Sequence, residues 1–303
     1  MSRRSPLDVV ATFELTVADT IREYRLIEPG DRVLVAVSGG KDSTALLHVL
    51  HKLGYDVEAV TVDVEIGCYT KENLKNIGSF CAKLDVPLHV ISYREHFGGS
   101  VCYVKSVLDG KGHKLTSCTL CGVPRRYLLN RAARDLKMTK LALGHNLDDE
   151  AQAVLMNVFR NRMDMNARLG PAPGGSRDAR FVPRIKPLYF IPERMVAEYS
   201  KAMDFPVHYG RCPCSADASR NMVREFLEKS DPSVAKRVVG QLLVLLPALR
   251  ERFKGGPIGS CERCGEPASG ASCRTCQLLD LLYGETAVTK VSSQGSQSEL
   301  KAR

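Results

Sequence analysis

The 303-residue sequence predicts an α/β fold, a doubly wound parallel sheet, followed by a small C-terminal knuckle module. Three observations carry this reading. A short continuous apolar run, Val33 to Val37, breaks off at Ser38-Gly39-Gly40-Lys41-Asp42-Ser43 before helically spaced Ala45, Leu46, Leu47, Val49 and Leu50. Such a run reads as a buried parallel strand, a glycine turn and the first turn of a helix. Strand and helix patterns then keep alternating, as they do where helices cover both faces of a sheet. Finally, two Cys-x-x-Cys pairs stand close together near the C-terminus, a spacing suited to a tetrahedral metal.

Taken in order, residues 1–30 form an N-terminal helical segment, with Val9, Val10, Phe13, Val17, Ile21 and Tyr24 near helical spacing and Pro29-Gly30 as the stop. Residues 31–230 form the catalytic domain. After the first strand and helix come a strand over Val57 to Val64, a helix over Glu72 to Leu84 and a strand over Pro87 to Ser92. A helix over 122–137, a strand over Leu141 to Leu143 and a helix over 148–160 continue the alternation. Ligands of such a sheet bind at the carboxyl ends of its strands. The Gly-Pro-rich stretch from Arg160 to Lys186, with seven Arg or Lys residues against two Asp, reads as a mobile basic loop. A helix over Pro192 to Met203 and a last short strand over Phe205 to His208 follow, then helices over 216–230 and 232–253. The helical extension 231–255 ends at Gly255-Gly256-Pro257, the zinc-binding module covers 256–285, and the Ser-Gln-Lys-rich tail 286–303 reads as disordered.

Composition narrows the function. A hydrophobic content of 44% supports a sizeable core, and a net charge of +9 favours an acidic partner, with nucleic acid foremost. The longest apolar run, Leu242 to Leu246, is cut by Pro247, so no membrane span is expected. The N-terminus leads into an acid-containing helical pattern without an apolar leader, which reads as a cytoplasmic protein. Eleven cysteines in a reducing compartment point to metal or redox chemistry rather than disulfides.

The glycine turn is a phosphate cradle: unpaired amides of a helix start, donors from Ser38 and Ser43, and the charge of Lys41 converge there. Its spacing fits neither the Walker loop nor the dinucleotide fingerprint. Asp42 is placed to hold Mg2+ or to cap the helix. Gly144-His145-Asn146-Leu147-Asp148-Asp149-Glu150 follows a strand directly, on the same sheet edge, where Asp149 is a metal ligand or general base, or an acid at a helix N-terminus. Arg125 and Arg126 are candidates for a phosphate or an RNA backbone. Cys118 and Cys121 precede the helix near Val123, and Cys212-Pro213-Cys214 arrives much later. Three thiolates on an iron–sulfur cluster leave one iron open for sulfide; the same residues would alternatively serve as persulfide carriers, or close a zinc site with Cys214. Cys261, Cys264, Cys273 and Cys276 form a structural zinc set, a redox-active dithiol being the weaker reading; too few residues surround it for a core of its own, so metal would supply much of its folding energy, whereas Cys68, Cys81 and Cys102 have no paired spacing.

Ser-Gly-Gly-Lys-Asp-Ser resembles the PP-loop of ATP pyrophosphatases. Together with Cys118-Thr119-Leu120-Cys121-Gly122, the motif from Gly144 to Gln152, Arg211-Cys212-Pro213-Cys214 and the terminal knuckles, it resembles the TtuA-type tRNA 2-thiouridine synthetases and their wobble-uridine relatives, over about residues 8–280. The resemblance implies that ATP adenylates the C2 oxygen of a tRNA uridine and that sulfide displaces AMP. It implies an ATP site at Ala36, Val37, Ser38, Gly39, Gly40, Lys41, Asp42, Ser43, Val62, Arg125, Gly144 and Asp149, with Mg2+. Asp42 and Asp149 would be catalytic, and Cys118, Cys121 and Cys212 would be catalytic ligands of a 4Fe-4S cluster. Sulfur would come from free sulfide or a thiocarboxylated ubiquitin-like carrier, and the resemblance extends to a homodimer. Two departures stand out: no cysteine precedes Cys68, where the family has another zinc finger, and the family's Cys-Pro-Tyr reads Cys212-Pro213-Cys214 here. The rivals are a tRNA cytidine 2-thiolase and a cluster-free PP-loop ligase such as a lysidine synthetase.

Overall fold

The computed structural model describes residues 6–174, 178–210, 212–214 and 218–284, so the expected tail lies outside the described residues. In chain order the elements are α1 (Pro6–Glu23), β1 (Arg32–Ala36), α2 (Lys41–Lys52), β2 (Asp56–Asp63), α3 (Gly67–Leu84), β3 (Leu88–Ser92), α4 (Tyr93–Phe97) and α5 (Val101–Gly110). They continue as α6 (Ser117–Asp135), β4 (Lys140–Leu143), α7 (Leu147–Phe159), α8 (Met163–Asn166), β5 (Arg184–Ile185), α9 (Glu193–Ala202), α10 (Ala218–Lys229) and α11 (Ser233–Arg252). A C-terminal module adds β6 (Gly259–Ser260), β7 (Pro267–Ala268) and α12 (Arg274–Tyr283).

Five strands pair in the order β3-β2-β1-β4-β5, all parallel. Alternation along β1 explains the double winding. Val33, Val35 and Val37 enter one core with residues of α1, α2, α3 and α9, while Leu34 enters the opposite core with residues of α5, α6 and α12. The chain runs outward from β1 to β3 and then returns to place β4 on the other side of β1, so the switch point of the sheet lies between β1 and β4. The registers Ala36↔Val60 and Ala36↔Leu143 bring the carboxyl ends of β1, β2 and β4 level.

Four expectations need correction. The helix expected from residue 122 begins at Ser117, so Cys118 and Cys121 lie in its first turns rather than before it. Thr116 caps it by accepting a hydrogen bond from Thr119 N–H (3.2 Å). Pro124, which hides this start in the sequence, deprives the Leu120 carbonyl of its donor, and Tyr93 Oη fills that role (3.0 Å). Phe205 to His208 is not a strand. Phe205 N–H bonds Ser200 O and Val207 N–H bonds Phe205 O, while β5 takes the edge of β4.

The third correction concerns the basic stretch between 160 and 186, whose described charges are largely used internally. Arg162 pairs with Asp164 (2.8 Å), Arg180 pairs with Asp178 (2.5 Å) and reaches Gly259 O (3.0 Å), and Lys186 is buried against Glu150 (2.6 Å). Buried Asn166 further ties α8 to α7 through Asn157 (2.7 Å). Arg177 lies outside the described residues. Fourth, the knuckle module borrows a core rather than standing without one: Leu279 and Leu282 of α12 are buried in the same cluster as Leu34, and Tyr283 Oη donates to Phe97 O (2.7 Å).

Candidate active site and metal centres

The cradle forms where β1 ends and α2 begins. Ser38 N–H donates to Ser43 Oγ (3.0 Å), and Ser43 Oγ donates to Gly40 O (3.1 Å), which folds the turn on itself. Helix α2 has Gly40 at its N-cap and lacks a side-chain cap, so its first amides remain available to an oxyanion. Asp42 is therefore not the cap. Gly39 has a φ of 83°, and a Cβ there would lie 2.6 Å from Asn73 Cβ. Gly144 meets a tighter limit, since a Cβ would come within 3.0 Å of Ser43 N and Cα. Glycine at these positions lets α3 and the end of β4 close on the turn.

Acids and cations surround the cradle. Lys41 Nζ contacts Asp42 Oδ2 and Glu193 Oε1, each at 3.0 Å. Burial works against the Lys41 ammonium, but those two carboxylates outweigh it and hold its pKa above the usual value. Burial pushes the Asp42 carboxyl up, although Lys41 and an amide hydrogen bond from Asn146 (2.9 Å) oppose the shift. Asn146 also accepts from Asp149 N–H (3.0 Å), completing a capping box with Asp149. The two sequence readings of Asp149 are thus compatible: it belongs to the cap, and its free oxygen Oδ1 faces Arg220 (3.0 Å). Asp42 and Asp149 lie within electrostatic reach of each other, a pair of hard oxygen donors beside a phosphate cradle that fits Mg2+. The atoms crowding His145, then Lys186 and Arg220, push its pKa below the usual histidine value, which favours the neutral imidazole even though the residue is exposed.

The thiols gather on the other side of the same sheet edge. Cys121 senses Cys212 and Cys118, and burial pushes its thiol up against the opposing charge of Arg125. Cys214 interacts with Cys102 and Cys212, which brings Cys102, expected to be incidental, next to the group. Cys68 is exposed and Cys81 is a core thiol raised by burial to about 11. Cys118 and Cys214 line an open cleft of about 360 Å³ with Lys105 and Lys114 at its rim. A set of three converging soft donors beside an open cleft fits a 4Fe-4S cluster with one iron left accessible. Arg125 Nε is buried without a hydrogen-bond partner among the described residues. The two halves approach each other: Gly39 abuts Asn73, and Tyr69, one turn earlier on α3, lies within electrostatic reach of both Cys212 and Arg125.

Ala36, Val37, Val62, Gly144 and the cradle itself thus share one sheet edge with Asp149. The sequence reading missed Glu193, Arg220 and Arg224. Only the i, i+4 spacing of the two arginines, soon after Cys214, hinted at them.

The terminal cysteines form a separate centre. The sulfur atoms of Cys261, Cys264, Cys273 and Cys276 all lie within 4.8 Å of one another, with Cys264 and Cys273 at 3.7 Å. A tetrahedral zinc with bonds of about 2.3 Å needs sulfurs about 3.8 Å apart, so the set fits that ion. Cys273 caps α12 by accepting from Cys276 N–H (3.4 Å), and hydrogen bonds from Cys264 and Cys276 lower its thiol to about 4. The centre is anchored on α6 through Arg134 and the buried Glu266.

A central parallel strand that ends in a glycine cradle at the switch point, with acids facing it from β4–α7, defines a PP-loop nucleotide-binding protein. A PP-loop domain family matches residues 11–230. The chain is 36% identical over 280 residues to cytoplasmic tRNA 2-thiolation protein 1 of Mus musculus, an alignment covering 89% of this chain and 66% of the mouse protein. It is 32% identical to the tRNA-5-methyluridine(54) 2-sulfurtransferase of Pyrococcus horikoshii, covering 89% of this chain and 85% of that protein. The fold matches the U34-tRNA thiolase NcsA of Methanococcus maripaludis, whose structure carries its [4Fe-4S] cluster, with a TM-score of 0.74 and 25% identity over 91% of this chain and 89% of that one. This chain belongs to the TtuA-type family of PP-loop tRNA thiolases.

Proposed function

We propose that the protein is a cytoplasmic, ATP-dependent tRNA sulfurtransferase that makes 2-thiouridine. The observation that supports this reading is the glycine cradle between β1 and α2, with Cys121 close enough to Cys212 and Cys118 to feel their charge. In this reading the cradle amides, Ser38, Ser43 and Lys41 bind the ATP phosphates, and Asp42 and Asp149 hold Mg2+. The uridine C2 oxygen attacks the α-phosphorus and pyrophosphate leaves, so the former carbonyl oxygen departs later as part of AMP. Cys118, Cys121 and Cys212 hold the cluster, which supplies an activated sulfide when bound. Arg125, whose Nε has no hydrogen-bond partner among the described residues, offers a cation beside the Cys121 thiol. Cys261, Cys264, Cys273 and Cys276 hold structural zinc. Free sulfide or a thiocarboxylated carrier is the sulfur source, entering by the cleft at Cys118 and Cys214.

The test is anaerobic incubation of the reconstituted protein with unmodified tRNA, Mg-ATP and sulfide, followed by nucleoside mass spectrometry. ATP-dependent 2-thiouridine, lost in Cys212→Ser, is the expected result. Formation of 2-thiocytidine would assign the chain to the cytidine thiolases. Full activity of a variant lacking all three cysteines would remove the cluster from the reaction.

A further inference from the structure

Helix α10 brings two arginines to the nucleotide site that the reaction outlined above leaves without a role. Arg220 and Arg224 are four residues apart and share a helix face. Arg220 Nη2 lies 3.0 Å from Asp149 Oδ1, and its Nε lies 3.3 Å from Gln152 Oε1. Arg224 Nη2 grips both carboxylate oxygens of Glu193, at 3.0 and 3.3 Å. Glu193 Oε1 is also 3.0 Å from Lys41 Nζ, so one oxygen bridges the cradle lysine and a helix arginine. A phosphate oxygen held by a PP-loop would need that same double-cation position.

Charge balance sharpens the point. Lys41, Arg220 and Arg224 carry three positive charges, against Asp42, Asp149 and Glu193 inside the box and Glu228 on Arg224 Nε (3.0 Å) and Asp148 beside Glu193 at its margin, so the ligand-free box has no positive charge to spare. Mg-ATP adds net negative charge, which the box accommodates best if a carboxylate withdraws and leaves its cations to the phosphates. Glu193 is built for that exchange. Its backbone N–H is fixed to Asp148 Oδ2 (2.6 Å), whereas its side chain is 33% exposed and has solvent to turn into.

We propose that Arg220 and Arg224 bind the pyrophosphate portion of ATP, and that the Glu193 carboxylate is a placeholder occupying a phosphate-oxygen position until nucleotide displaces it. The inference rests on the reading above that ATP binds at the cradle. It is tested by calorimetric titration of the full-length protein with Mg-ATP, magnesium pyrophosphate and AMP, for the wild type, Arg224→Gln, Arg220→Gln and Glu193→Gln. Each arginine variant should weaken ATP and pyrophosphate by about 10- to 100-fold while leaving AMP, which lacks the β and γ phosphates, unchanged. Glu193→Gln should bind pyrophosphate several-fold tighter, a gain that a purely structural residue would not produce. Unchanged ATP and pyrophosphate affinities in both arginine variants, equal losses for AMP and ATP, or weaker pyrophosphate binding by Glu193→Gln would each overturn the inference and leave the thiolase reading standing. A wild type that binds neither ATP nor AMP would overturn both.

Discussion

Lys186→Met is the perturbation whose size can be worked out most directly. The Lys186 Nζ to Glu150 Oε1 contact of 2.6 Å joins side chains only 7% and 3% exposed, and Glu150 Oε2 has no other partner among the described residues. Removing the lysine leaves a carboxylate stranded in the interior, which ordinarily costs about 3–5 kcal/mol. Glu150 can escape by taking up a proton, because burial already pushes its pKa above the 4.5 of a free glutamate. At about pH 7.5 that escape costs ~4 kcal/mol, at ~1.4 kcal/mol per pH unit above the unfolded value. The loss is therefore capped near 4 kcal/mol there and shrinks to about 1.4 kcal/mol at about pH 5.5.

The sign follows from proton counting: in the variant the folded state holds a proton that the unfolded state has released, so stability falls as pH rises. Urea unfolding of wild type and variant across this range reads the difference directly. A second variant, Lys186→Met/Glu150→Gln, should abolish the pH dependence. A destabilisation that does not grow with pH, or a total below about 1 kcal/mol, would refute the assignment of Glu150 as a carboxylate that depends on Lys186.

Other outcomes follow from the two metal sets and the acid pair. Cys212→Ser should lose most iron and acid-labile sulfide while keeping zinc, and Cys264→Ser should do the reverse and lower the melting temperature, both read by metal analysis beside thermal unfolding. Asp149→Ala should lower thiolation by at least about 100-fold while losing roughly 1 kcal/mol of stability through the capping box, so a folded variant with ordinary activity would remove Asp149 from the mechanism. The imidazole of His145 should titrate below the ordinary histidine range, as followed by NMR. Its folded pKa lies below the unfolded value, so it withdraws stability as pH falls below the unfolded histidine value, and His145→Asn should lessen that acid sensitivity.

What the sequence determined by itself is local. The apolar run Val33 to Val37 and the glycine turn behind it form a strand and a cradle because their side chains and backbone freedom allow little else. The knuckle cysteines were equally legible, since two residues between thiols is the loop that a tetrahedral metal requires. Where a local signal misled, a distant partner had changed the balance. Pro124 concealed the start of α6 because the donor that compensates for it, Tyr93 Oη, is supplied from α4. Phe205 to His208 has strand-like residues, but its amides bond back locally, Phe205 N–H to Ser200 O and Val207 N–H to Phe205 O, rather than to a sheet edge.

The tertiary structure alone decided how the halves of the site meet. Cys118, Cys121 and Cys212 are brought together by packing across more than ninety residues of chain, and Cys214 is brought next to Cys102. The charges between 160 and 186 looked like a basic surface, yet their acidic partners lie as far away as Glu150. Arg220 and Arg224 carry no motif, and only the docking of α10 against α7 and α9 brings them to Asp149 and Glu193. Sequence spacing encodes contacts within a turn or two of chain; the pairing of charges and thiols across the fold depends on which surfaces the cores bury, and that is a property of the whole chain.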